Sequence, residues 1–145
     1  MNQLGADSAA ERHSDLRCRR IQVAAESSRL ADIRQFVESV GTEHGLDDNQ
    51  IFDLKVAVSE ACANAVEHSG VTKAPIELCA WFHPDKLVFE ISDSGGFRLP
   101  RSEPGFQADS RGLGLPLMVA LMDEVRIRKL PNAGTNVTLT LYLDR

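Results

Sequence analysis

Ser59-Glu60-Ala61-Cys62-Ala63-Asn64-Ala65-Val66-Glu67-His68 is the stretch on which the fold turns. It lies within a helix that the pattern starts at Asp47 or Asp48 and carries to about His68, with Gly70 ending it. The two aspartates suit a helix N-terminus, where the backbone dipole favours negative charge. Ile51, Leu54, Val58, Ala61, Cys62 and Ala65 recur at helical spacing and predict a buried stripe. Glu60, Asn64 and His68 follow one another at intervals of four and form a second row on nearly one face, offset from that stripe. Such a row is placed to look into a cavity between helix and sheet. A carboxylate beside an amide oxygen suits a Mg²⁺ site next to a general base, because Mg²⁺ takes hard oxygen ligands and keeps waters. A solvated helix face produces the same spacing, so this row alone decides nothing.

Upstream of that helix, Met1 to about Asp15 is polar without apolar period and reads as a disordered arm. Leu16 to Ala24 alternates as a half-buried strand, with Ile21 and Val23 on one side. Ser27 or Ser28 is expected to cap a helix running to about His44, stopped by Gly45. Leu30, Ile33, Phe36, Val37 and Val40 form its apolar stripe.

Downstream, Pro75 to Phe82 and Lys86 to Ser92 read as strands joined by a turn at His83-Pro84-Asp85-Lys86. Asp93 to Arg111 is rich in glycine and proline and too long for a simple connection, which suits a lid or binding loop. A short helix from about Leu115 to Met122 follows, then strands Glu124 to Leu130 and Thr135 to Leu143 around the turn Pro131-Asn132-Ala133-Gly134. The order β-α-α-β-β-loop-α-β-β predicts a two-layer α/β sandwich, with a mixed, mostly antiparallel sheet backed by helices.

Two further motifs carry chemistry. Asp93-Ser94-Gly95-Gly96-Phe97 directly follows a strand. Glycines there let backbone approach a flat ligand, and the Asp93 carboxylate can accept from an exocyclic amine such as that of adenine; an Asx-type turn is the plainer alternative. Arg111-Gly112-Leu113-Gly114-Leu115-Pro116 opens a helix, where free backbone N–H groups and the positive dipole end favour phosphate. It is neither a full G-x-G-x-x-G nor a P-loop.

The whole chain bounds these readings. Its 145 residues suit one domain, 43% hydrophobic and 26% charged as in an ordinary globular protein. The net charge of −5 counts against direct nucleic-acid binding, for which a basic stripe is the usual footprint. Three cysteines without C-x-x-C spacing argue against a disulfide framework or zinc site. The chain shows no signal-peptide run and no stretch approaching the roughly 18 apolar residues of a membrane span, so a cytoplasmic protein is expected. His13, His44 and His83 lack partners at metal-site spacing, and the Arg17, Arg19, Arg20 cluster reads as a solvated strand face or a contact for an acidic partner.

Taken in order, these pieces resemble the N, G1 and G2 boxes of the GHKL ATPase superfamily, and most closely the stand-alone anti-sigma-factor serine kinases. Residues 59–68 match the E-x-x-x-N-A-x-x-H box of those kinases. Arg111 to Leu115, followed by Leu121-Met122-Asp123-Glu124-Val125, matches the phosphate-binding box and its next strand. Gly134-Thr135-Asn136-Val137 matches the late G-T-x-V segment. The resemblance covers roughly Arg20 to Leu143 and implies a GHKL kinase domain over 16–145.

By that resemblance Glu60 is the general base that receives or orients the substrate serine's proton, and Asn64 is the Mg²⁺ ligand. Asp93 reads the adenine amine of ATP with Gly95 near the base, and Thr135 sits close to the adenine. Arg111, Gly112, Leu113 and Gly114 lie on the phosphates, beneath a lid from about Arg98 to Ser110. The implied role is partner switching: a kinase homodimer holds a sigma factor and phosphorylates a serine on an anti-anti-sigma protein of the STAS class. Family members usually read D-x-G-x-G-F or D-x-G-x-x-F, whereas Asp93 to Phe97 is one residue short. A binding module that sequesters a regulator without phosphotransfer is therefore the alternative. A detached sensor-kinase ATPase domain fits less well, since a helix pair would have to precede the first strand.

Overall fold

The protein is described by a computed structural model over residues 17–68, 75–93, 114–129 and 134–143. The elements run β1 (Cys18–Val23), a 3₁₀ turn (Ser27–Arg29), α1 (Leu30–Glu43), α2 (Asp48–His68), β2 (Ile76–Phe82), β3 (Lys86–Asp93), α3 (Gly114–Leu121), β4 (Glu124–Lys129) and β5 (Thr135–Tyr142). Five strands form one sheet in the order β1-β2-β3-β5-β4, and each of the four pairings is antiparallel. The expected mostly antiparallel sheet is thus antiparallel throughout its described pairings. The predicted arm over 1–15 lies outside the described residues.

Strand alternation sorts the sheet into two faces. Ile76, Leu78, Ala80 and Phe82 of β2 pair in register with Asp93, Ile91, Phe89 and Leu87 of β3. Those pair in turn with Thr135, Val137, Leu139 and Leu141 of β5. All twelve are buried. This face carries the helices, and its apolar members form one core with the inner stripes of α1 and α2. Ile33, Phe36, Val37 and Val40 of α1 are buried as the spacing predicts, and the Phe36 ring meets Phe89 edge-on at 6.2 Å between centroids. Such an edge-to-face pair contributes about 0.5–1.5 kcal/mol beyond its buried area.

α2 is the central helix, packed against α1 on one side and α3 on the other, with β3 and β5 beneath it. Leu54, Val58, Ala61, Cys62 and Ala65 of the predicted stripe are buried, Ile51 is only half-buried, and Ala57 joins the buried set. The helix starts with a reciprocal cap: the Gln50 N–H donates to Asp47 Oδ1 at 2.8 Å, and the Asp47 N–H donates to Gln50 Oε1 at 3.0 Å. α1 approaches α2 at Gly41, where a Cβ would stand 2.8 Å from Ile51 Cγ1, so only a residue without a side chain fits without repacking. Gly45 then ends the first helical segment with φ of +84°, a left-handed conformation that favours glycine.

One local expectation is corrected. Neither Ser27 nor Ser28 caps α1: both lie in the 3₁₀ turn, and no side chain caps α1 or the turn itself. Within the turn the Arg29 N–H donates to the Glu26 carbonyl at 2.9 Å, the i to i+3 pattern of a 3₁₀ turn.

Candidate functional site

The inner face of β3 reads Leu87, Phe89, Ile91 and then Asp93, and that of β5 reads Thr135, Val137, Leu139 and Leu141. The apolar ladder therefore changes character at one end of the sheet. There Asp93 pairs directly with Thr135, in a row that runs Val23, Ile76, Asp93, Thr135, Lys129 across all five strands. Asp93 is 7% exposed and Thr135 2%. Burying such groups costs on the order of 1–3 kcal/mol each relative to leaving them in water, unless hydrogen bonds compensate. Both have partners within the protein.

α2 carries the polar row and packs over β3 and β5. Asn64 is 5% exposed and Glu60 is half-buried, so the row points inward rather than forming a solvated face. His68 closes the helix, and its side chain lies outside the described residues. Cys62, between Glu60 and Asn64, is completely buried; burial pushes its thiol pKa upward, and the nearby Asp93 carboxylate adds to the rise. That electrostatic influence links the C-terminal third of α2 to the end of β3. It is a neighbour that the sequence pattern had assigned to the core stripe alone.

α3 begins at Gly114 and packs beside α2, with Met118 fully buried. The structure thus pairs Asp93 with Thr135 on the helix-bearing face, with Asn64 buried on the helix packed over β3 and β5. Gly95, Arg111, Gly112, Leu113 and the expected lid over Arg98 to Ser110 lie outside the described residues.

What these groups can hold follows from their chemistry. Among the described residues no cluster of three or more His, Cys, Asp or Glu forms a cage for a metal ion. A single buried amide oxygen at Asn64 fits Mg²⁺, which is commonly held by one or two protein oxygens, waters and substrate phosphates. A carboxylate and a hydroxyl side by side at the floor fit the polar edge of a base.

Comparison with known proteins shows the family. The histidine kinase-like ATPase domain matches residues 23–141, and the chain belongs to that family. It is 31% identical over 137 residues to the serine-protein kinase RsbW of Bacillus velezensis, covering 86% of this chain and 84% of that one. To the RsbW of Bacillus pumilus it is 34% identical over 140 residues, covering 86% and 85%. Among solved structures, the RsbU and RsbW domains of Rv1364c from Mycobacterium tuberculosis superpose with a TM-score of 0.70 at 27% identity. That match covers 89% of this chain, which spans 33% of the longer mycobacterial one. Among the described residues no helix is long and apolar enough to cross a membrane.

Proposed function

We propose that this chain is an ATP-dependent protein serine kinase of the anti-sigma type. The observation that carries the reading is the buried Asp93–Thr135 pair at the end of an apolar ladder, faced by the Asn64-bearing helix. The likeness to serine-protein kinases over most of their length supports the same activity.

In this reading Asp93 accepts from the exocyclic amine of adenine, and the Thr135 hydroxyl lies against the base directly or through a water. The Asn64 amide oxygen holds Mg²⁺, while the half-buried Glu60 one turn earlier receives or orients the proton of the substrate serine. Mg-ATP supplies the γ-phosphoryl group and neutralises charge that develops on it. Gly112, Leu113 and Gly114 present backbone N–H groups to the phosphates at the start of α3, with Arg111 adding charge and Gly95 near the base. The protein's share is positioning, which is most of what phosphoryl transfer requires. The acceptor is a serine on a STAS-class anti-anti-sigma protein, and the sequestered partner is a sigma factor, bound by a homodimer.

The test is transfer of labelled phosphate from ATP to a STAS-domain protein encoded by the same genome. Glu60→Gln should abolish transfer and leave ATP binding intact. ATP binding with no transfer in the unaltered protein would favour the alternative, a module that sequesters its partner without catalysis.

A further inference from the structure

Behind the Asp93–Thr135 pair, on the opposite face of the sheet, lies a second polar pair. Ser92 and Asn136 are direct cross-strand partners, one step inward in the same ladder. The Asn136 amide donates from Nδ2 to Ser92 Oγ at 2.8 Å, and its Oδ1 accepts from the Thr138 hydroxyl at 3.1 Å. Both ends of the amide are therefore engaged. Asn136 is only 8% exposed.

Two physical facts make this arrangement informative. Asparagine is among the residues depleted from strands, so propensity favours a β-branched residue at this position. Asp93 ends β3 and Thr135 begins β5, so theirs is the terminal pair of the ladder, with register support from one side only. A one-residue slip there would move Asp93 to the opposite face. The pair that can resist that slip is Ser92–Asn136, joined by a side-chain hydrogen bond in addition to the backbone ladder.

We infer that Ser92 and Asn136 form a polar clamp that positions Asp93 and Thr135 for base recognition and so sets the nucleotide preference of the site. This rests on the nucleotide-binding reading above. The clamp acts through its neighbours, and both of its members are positioning residues. Adenine presents an amine where guanine presents a carbonyl oxygen, so a correctly held carboxylate separates the two by attraction and repulsion. A loosened one separates them less.

The experiment measures ATP and GTP affinity by competitive displacement, with melting temperature recorded in parallel. Ser92→Ala and Asn136→Val each delete the clamp bond, and the second installs a good strand former. Both should weaken ATP binding on the order of fivefold, the usual yield of one net hydrogen bond. GTP binding should change less, so the ATP-to-GTP ratio falls. Ser92→Thr keeps the hydroxyl and should keep the ratio. An unchanged ratio in both deletion variants, or an equal loss for the two nucleotides that follows melting temperature, overturns the clamp. Asp93→Asn serves as the reference. If it binds ATP as the unaltered protein does, the base-reading role of Asp93 is what fails, and the clamp falls with it. If it loses binding while the clamp variants do not, the clamp alone is refuted.

Discussion

Asp93 and Thr135 stand opposite one another as the terminal pair of the β3–β5 ladder, both buried and both on the helix-bearing face. Two motifs far apart in sequence are thereby brought side by side. The pairing also explains why a G1 segment that is one residue short need not displace its aspartate. Asp93 is the last residue of a strand hydrogen-bonded on both sides, to β2 and to β5, and the shortening falls after it.

Removing the hydroxyl at the second half of that pair isolates its contribution. Thr135→Val preserves shape and strand propensity at a position that is 2% exposed. ATP affinity should fall on the order of tenfold, as expected for one hydrogen bond to a ligand lost without compensation. Titration calorimetry checks this, and a melting temperature close to that of the unaltered protein shows that the loss is local.

The start of β1 is fastened to the end of α1 by charge. Arg17 and Arg19 both donate to the Glu43 carboxylate, with Arg17 also lying 4.6 Å over the Phe82 ring. Those two hydrogen bonds hold the Glu43 pKa below its ordinary value. A depressed carboxylate contributes stability that is present above its unfolded pKa, about 4.3, and lost as pH falls through the lower folded value. Melting temperature should therefore drop below about pH 4.3 more steeply in the unaltered protein than in Glu43→Gln. Parallel curves would contradict a stabilising role for the Glu43 ion pairs.

The three thiols differ in reach. Cys18 is exposed and Cys79 half-buried, whereas Cys62 lies completely inside, and burial pushes the pKa of both Cys79 and Cys62 upward. Reactivity follows the exposed thiolate. Iodoacetamide at mildly alkaline pH should label Cys18 first, Cys79 more slowly, and Cys62 only in denaturant. Peptide mass mapping reads the order, and early labelling of Cys62 would contradict its place beside Asp93.

Much of the fold was legible because its elements are strongly periodic. The buried stripe of α2 follows directly from Leu54, Val58, Ala61, Cys62 and Ala65, and strand limits fall within a few residues of their alternating runs. The polar row Glu60 and Asn64 was equally readable as a helix face, but spacing could not tell inward from outward. Burial by β3 and α3 decides that, and it is a tertiary effect. The register that joins Asp93 to Thr135 was not readable, because α3 and β4 intervene between the paired strands. Asn136 gave a local hint, since its residue type is out of place in a strand. Ser27 and Ser28 show the converse: good capping residues lie instead in a 3₁₀ turn, where the Arg29 N–H bonds back to the Glu26 carbonyl.

The most direct test of the central claim is ATP titration by calorimetry, with and without Mg²⁺, on the unaltered protein and on Asp93→Asn. The account predicts Mg²⁺-dependent binding in the first and its collapse in the second, with both proteins folded. Binding that survives Asp93→Asn unchanged, or no binding under any condition, would contradict it.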